Sequence, residues 1–191
     1  MLRIFALFTH DLTARDCAAL CRAADASHAV RYRSHEDVPG AKASLAANVL
    51  LRYAASRVLD VPMTQVTTAA EPSGRPILPG TGLHCSVSHS DGLCVCAVAD
   101  APVGIDTERL RAAPLRVAQR VFSALELRRL DGADDPDRVF FEIWTKRESA
   151  VKLTGAGLRD ISGVVPDNVR TRTFLFAVDY AVSVSTFTDT T

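Results

Sequence analysis

Gly104-Ile105-Asp106-Thr107-Glu108 is a short run with an apolar start and two carboxylates set two residues apart. Val103 to Glu108 reads as a β-strand, on which side chains two apart point to the same face. Asp106 and Glu108 would then face one point, which is unfavourable unless a cation sits between them. Magnesium suits that demand, because it is a hard ion that takes one or two carboxylates and completes its shell with phosphate oxygens and water. Taken alone, the pair reads more simply as the solvated face of a strand.

Further along the chain stands Trp144-Thr145-Lys146-Arg147-Glu148-Ser149-Ala150-Val151-Lys152-Leu153-Thr154-Gly155-Ala156-Gly157-Leu158. On a helix Trp144, Glu148 and Lys152 are four apart and line one side. That places a third carboxylate beside a lysine on a rigid element. By themselves Glu148 and Lys152 are an exposed pair worth ~0.3–0.5 kcal/mol, and Gly155 and Gly157 merely end the helix.

The remaining elements are read outward from these two. Residues 2–9 form a first strand, and Asp11 to Ala26 a helix with Asp11 as N-cap. A second helix covers Lys42 to Leu59, with Leu45, Val49, Tyr53 and Ser56 at helical spacing. The Pro- and Gly-rich stretch Glu71 to Gly82 is a loop. It leads into a hairpin of Leu83–Ser90 and Leu93–Ala99 around Asp91-Gly92. Ser123 and Glu126 have capping-box spacing and start a helix. After a polar loop, Asp131 to Asp137, a long helix ends near Gly155. Thr171–Val178 and Tyr180–Phe187 close the chain as a second hairpin. Strand, helices and hairpin recur in each part, which predicts an α+β chain of two related halves, 1–100 and 101–191.

The totals exclude several classes. The chain has 191 residues, of which 48% are hydrophobic, so a real core is expected. Lysine plus arginine equals aspartate plus glutamate at 22 each, and nothing global suggests a nucleic-acid partner. No apolar run approaches the ~18 residues of a membrane span, and Met1 to Phe8 is too short for a secretory signal. The five cysteines follow no framework spacing and read as reduced thiols of a cytoplasmic protein. Ser88-His89-Ser90 lacks the Gly-x-Ser-x-Gly elbow of a serine hydrolase. Cys85, His89, Cys94 and Cys96 match no usual zinc spacing.

The two acidic segments in order, Gly-Ile-Asp-x-Glu and then Trp-Thr-x-x-Glu-x-x-x-Lys-x-x-Gly-x-Gly-Leu, resemble the 4′-phosphopantetheinyl transferase superfamily. The length is similar to its surfactin-synthetase (Sfp-type) branch. Gly74-Arg75-Pro76, the strand Ser86-Val87-Ser88-His89-Ser90 and Phe122-Ser123-x-x-Glu126 also resemble that branch. The likeness runs from about Lys42 to Leu158.

The resemblance implies a fold of two similar subdomains, each a small antiparallel sheet packed with helices. It implies a monomeric enzyme that moves phosphopantetheine from coenzyme A to a serine of an acyl or peptidyl carrier protein. Asp106, Glu108 and Glu148 would ligate Mg²⁺, with Asp106, Glu148 and Lys152 as the catalytic group. Lys152 would contact phosphate, His89 and Ser88 would hold phosphates of the coenzyme, and Arg75 would sit near its adenosine. Arg52 and Lys42 would add phosphate contacts. The segment Leu110 to Val121, with Arg111, Arg116 and Arg120, would meet an acidic carrier. Thr107, Arg147, Ser86 and Cys85 depart from the family's usual residues. A magnesium-dependent phosphodiesterase or nuclease, or a non-catalytic module binding coenzyme A or a carrier, are the alternatives.

Overall fold

Two β-hairpins, each with its second strand at the centre of a three-stranded sheet, organise the chain. The computed structural model describes residues 1–35, 38, 40–155, 161–163 and 165–188. It divides the chain into two units, Met1–Val103 and Gly104–Thr191. Gly157 and Leu158 of the second acidic segment lie outside the described residues.

The N-terminal unit runs β1 (Leu2–Phe8), α1 (Ala14–Ala23), α2 (Ala26–Ser34), α3 (Ala41–Leu59), a 3-10 turn at Met63–Gln65, β2 (Ala69–Ala70), β3 (Pro76–Ile77), β4 (His84–Ser90) and β5 (Leu93–Ala99). The main sheet has the order β1-β5-β4, antiparallel throughout. Central β5 is buried at every position, which is why its sequence shows no polar alternation. Asp91 and Gly92 turn the hairpin with φ of 37° and 94°, the left-handed pair that matches strand twist. Ala46, Ala47, Leu50, Leu51, Ala54 and Ala55 of α3 pack against Cys85, Cys94, Cys96 and Val98 of the sheet. These thiols are buried and free. Burial pushes Cys85 up to about 11 and Cys94 to about 12.

Two sequence expectations shift here. The first helix is capped by Thr13, two residues after Asp11, because Thr13 and Asp16 form a reciprocal box: the Thr13 Oγ1 accepts from the Asp16 N–H at 3.3 Å, and the Asp16 carboxylate accepts from the Thr13 N–H at 2.9 Å. That helix does not reach Ala26. Asp25 breaks it by bonding α3: its N–H donates to Asn48 Oδ1 at 3.0 Å, and Asn48 Nδ2 donates back to its carboxylate at 3.1 Å. A separate α2 follows, and no local signal announces this long-range bond.

The C-terminal unit runs β6 (Val103–Arg109), α4 (Leu115–Val121), α5 (Ala124–Asp131), α6 (Pro136–Thr154), β7 (Val169–Phe176) and β8 (Tyr180–Phe187). Its sheet has the order β6-β8-β7, with β7 and β8 antiparallel. The topology repeats the first unit: strand, two short helices, a 19-residue helix and a hairpin whose second strand lies beside the opening strand. The fold class is α+β.

Helix α6 is capped by Asp135, whose carboxylate accepts from the Arg138 N–H at 3.0 Å, with Pro136 at the first turn. Gly155 ends it at φ 73°. Two hydroxyl chains fix its register on the sheet, Thr145–Ser183–Thr173 and Ser149–Ser185–Thr171, with links of 2.7–2.8 Å. Within the segment Leu110 to Val121 the helix begins only at Leu115, because Pro114 bars its predecessor from helical geometry and the Leu110 N–H is held by Asp179 O at 2.7 Å. The strand expected to reach Val178 stops at Phe176. Ala177 and Val178 form the turn at φ 48° and 69°, a conformation that β-branched valine rarely adopts. No described helix is long and apolar enough to cross a membrane.

Candidate active site

Gly104 determines how β6 meets α6. A Cβ on it would stand 2.0 Å from the Ser149 carbonyl oxygen and 2.6 Å from the Leu153 nitrogen. Only a glycine lets the helix backbone lie this close to the strand. Two residues further, Asp106 is 4% exposed, and its Oδ1 accepts from Lys152 Nζ at 2.7 Å. Gly104 thus sets the helix–strand distance, and Asp106 and Lys152 use it.

Glu148 lies one helical turn before Lys152 and is 7% exposed. Its carboxyl is pushed up to about 7, first by burial and then by the Asp106 carboxylate; Lys152 pulls it down and Glu108 adds to the rise. The three carboxylates expected from the sequence therefore feel one another. Glu108 is the outermost, with its Oε2 3.4 Å from Arg111 Nη1. Among the described residues no three His, Cys, Asp or Glu side chains stand as a formed metal cluster. In this arrangement Lys152 and Arg111 supply positive charge to Asp106 and Glu108.

Arg147, next to Glu148, is 5% exposed. Its Nε and Nη2 donate to the two Glu126 carboxylate oxygens at 3.1 and 2.5 Å. Its Nη1 donates to the carbonyls of Ile161 and Gly163 at 2.8 and 3.0 Å. Glu126 also closes the capping box of α5 on Ser123. The Phe122-Ser123-x-x-Glu126 segment is thereby tied to α6 through a planar fork, which a lysine could not reproduce. The sequence showed the capping spacing but not this second bond.

In the N-terminal unit α2, α3 and β4 enclose a cavity of about 350 Å³. His28, Arg31, Tyr32, His35, Ser44 and His89 line it. Of the residues singled out by sequence, His89 is here; Ser88 points to the other face of β4 and is buried. Arg52 is drawn elsewhere, donating to the carbonyls of Ala23 at 2.5 Å and Met63 at 3.1 Å, with Asp25 at 3.6 Å. Lys42 donates to Leu12 O at 3.3 Å. Arg75 enters β3, with its N–H on Ser73 Oγ at 3.3 Å and its charge felt by the Cys85 thiol. His28, Arg31, His35 and Ser44 were not legible as a group, because a pocket between helices has no sequence spacing of its own.

The chain thus combines a doubled α+β topology with a half-buried Asp106–Lys152 pair and two further carboxylates, Glu108 on β6 and Glu148 on α6. Residues 102–179 match the family model of the 4′-phosphopantetheinyl transferase superfamily. It is 36% identical over 121 residues to the 4′-phosphopantetheinyl transferase psf-1 of Bacillus pumilus, covering 62% of this chain and 52% of that one. With the 4′-phosphopantetheinyl transferase gsp of Aneurinibacillus migulanus the identity is 34%, over 68% of this chain and 54% of the relative. With the 4′-phosphopantetheinyl transferase Sfp of Bacillus subtilis strain 168 it is 30%, over 67% and 57%. The chain spans somewhat more than half the length of these curated relatives.

Proposed function

We propose that this protein transfers the 4′-phosphopantetheine arm of coenzyme A to a serine of an apo-carrier protein. The observation that carries the reading is the half-buried Asp106–Lys152 pair with Glu148 one turn away, inside the segment that matches the superfamily. In the reaction the serine oxygen bonds to the β-phosphorus of coenzyme A. The bond from that phosphorus to the oxygen of 3′,5′-ADP breaks, and the serine proton passes to a base.

Such a transfer asks a protein chiefly for position and for charges that meet those developing on phosphate oxygens. Lys152, held by Asp106, offers an ammonium for that purpose. Glu148 is the candidate acceptor of the serine proton, directly or through a water; as a metal ligand its carboxyl would be lowered, which favours the route through water. The donor set fits a divalent ion: Asp106, Glu108 and Glu148 are all hard oxygen ligands, and two of them are buried against like charge. Magnesium held by these three would neutralise the pyrophosphate of the coenzyme. The cavity with His89 and Arg31 has chemistry suited to the 3′-phosphate.

On α4, Leu115 is 53% exposed beside exposed Arg116 and Arg120, a surface suited to an acidic carrier. Mass spectrometry of an apo-carrier incubated with this protein, coenzyme A and Mg²⁺ tests the activity. One phosphopantetheine mass should appear, and Asp106→Ala should abolish it. A chain that binds coenzyme A yet leaves the carrier unchanged is a binding module, and the transferase reading fails.

A further inference from the structure

Anion sites built on lysine and arginine hold their charge at any physiological pH. The cavity of the N-terminal unit has one such group among its described lining residues, Arg31, together with three imidazoles, His28, His35 and His89. We propose that this cavity binds a nucleoside phosphate monoester together with a proton, so that affinity falls as pH rises through neutrality. The inference rests on the coenzyme reading only in naming the 3′-phosphate of coenzyme A as that monoester.

The imidazole nitrogens carry the case. His35 Nδ1 lies 3.1 Å from the Arg31 carbonyl oxygen, so that nitrogen bears the hydrogen and donates it. The neutral ring is then bare at Nε2 and can donate to a phosphate there only after gaining a proton. His35 also caps the C-terminus of α2, where the helix dipole favours a cation. His28 behaves differently. Its Nδ1 is buried without a hydrogen-bond partner, so the charged ring would strand an N–H there. Burial accordingly holds its pKa below 6.5, against the pull of Asp25 and with a push from Arg31. A phosphate dianion in the cavity would oppose that depression.

The surrounding groups do not supply a fixed alternative. Asp25 is engaged by Asn48, Thr68 and Arg52. From α1 the packed titratable group is the buried Cys21 thiol, and from α2 itself Tyr32. Helix α3 lines the cavity with Ser44 and no charge, since Lys42 and Arg52 are bonded to carbonyls elsewhere. Among the described residues, positive charge beyond that of Arg31 must come from protons. A phosphate monoester itself loses its second negative charge below about pH 6. Binding should be tightest near pH 6–7 and weaken by roughly three- to sevenfold by about pH 8.5, the span expected when a single histidine takes up the proton.

Isothermal titration of the full chain near pH 7, in two buffers of different ionisation enthalpy, reads the proton directly. Coenzyme A and adenosine 3′-phosphate should bind with net proton uptake, and 3′-dephospho-coenzyme A with none. His35→Gln keeps a side-chain donor but lacks the second ring nitrogen, and should bind with less proton uptake and a flatter pH profile at unchanged melting temperature. Equal heats in the two buffers overturn the inference while leaving the coenzyme reading intact. Adenosine 3′-phosphate bound with uptake, but coenzyme A not bound, upholds the inference and sinks that reading. Failure of every phosphate monoester to bind sinks both.

Discussion

Lys152 and Asp106 are 46 residues apart in sequence and 2.7 Å apart in space, the ammonium on α6 donating to a carboxylate on β6. The carboxylate side is 6% exposed and the lysine 29%, so the pair is sheltered on one side and open on the other. A surface ion pair would contribute little, but a half-buried one resists removal of either partner. Lys152→Met should lower transfer by roughly 10²–10³-fold, the usual cost of one charge-stabilising donor. It should also destabilise the fold by about 1–3 kcal/mol, because Asp106 stays buried without its cation. Single-turnover transfer rates and denaturant melts check the two halves separately.

Gly104→Ala should be disruptive out of proportion to one methyl group. The new Cβ would fall 2.0 Å from a backbone oxygen and 2.6 Å from a backbone nitrogen of α6, atoms that cannot rotate away. The helix must shift, breaking the Lys152–Asp106 register and the two hydroxyl chains. We expect a loss of about 3 kcal/mol or more, the range of strongly overpacked sites, and transfer reduced to background in whatever protein remains folded. An unchanged melting temperature would contradict the close approach.

Glu148→Gln should separate stability from activity. Glu148 is 7% exposed and faces the charges of Asp106 and Glu108. Replacing it by a neutral isostere relieves burial and like-charge repulsion together. Metal-free protein should gain roughly 1–3 kcal/mol at neutral pH, an order of magnitude set by the cost of a buried, opposed charge. Transfer should vanish, and Mg²⁺ should no longer raise the melting temperature in the presence of coenzyme A. A variant that is less stable than the parent without metal would remove the basis for a site under mutual repulsion.

Sequence spacing carried the elements whose signals are local. The Ser123–Glu126 box, the Asp91-Gly92 turn and the glycine that ends α6 all sit where their chemistry predicts. Periodicity put Asp106 with Glu108 and Glu148 with Lys152 but read both pairs as solvated; the burial of Asp106 and Glu148 comes from the contact of β6 with α6, which has no local signal. What escaped depends on partners far away in the chain. Asp25 ends α1 because Asn48, 23 residues on, binds it. Arg52 and Lys42 carry the right charge for phosphate but spend it on backbone carbonyls. The grouping of His28, His35 and Ser44 with His89 exists only once α2, absent from the sequence reading, is in place.

The Arg147–Glu126 pair gives the fold an acid limit. Burial raises the Glu126 carboxyl, but the Arg147 and Ser123 hydrogen bonds outweigh it and hold the pKa below the ordinary 4.5. A carboxylate depressed in the folded state stabilises above its unfolded pKa, and that contribution fades as pH falls through the folded one. Stability should therefore drop below about pH 4.5 in the parent. In Glu126→Gln this component is absent, so the profile there should be flatter. The variant should be weaker at neutral pH by roughly 2–4 kcal/mol, because Arg147 keeps its charge at 5% exposure without a carboxylate to meet it. Arg147→Lys should fall between the two, since an ammonium can reach the carboxylate or the carbonyls of Ile161 and Gly163 but not all of them. Urea titrations of the three proteins from about pH 3 to about pH 8 resolve the difference; parallel curves would mean that the fork does not set the acid limit.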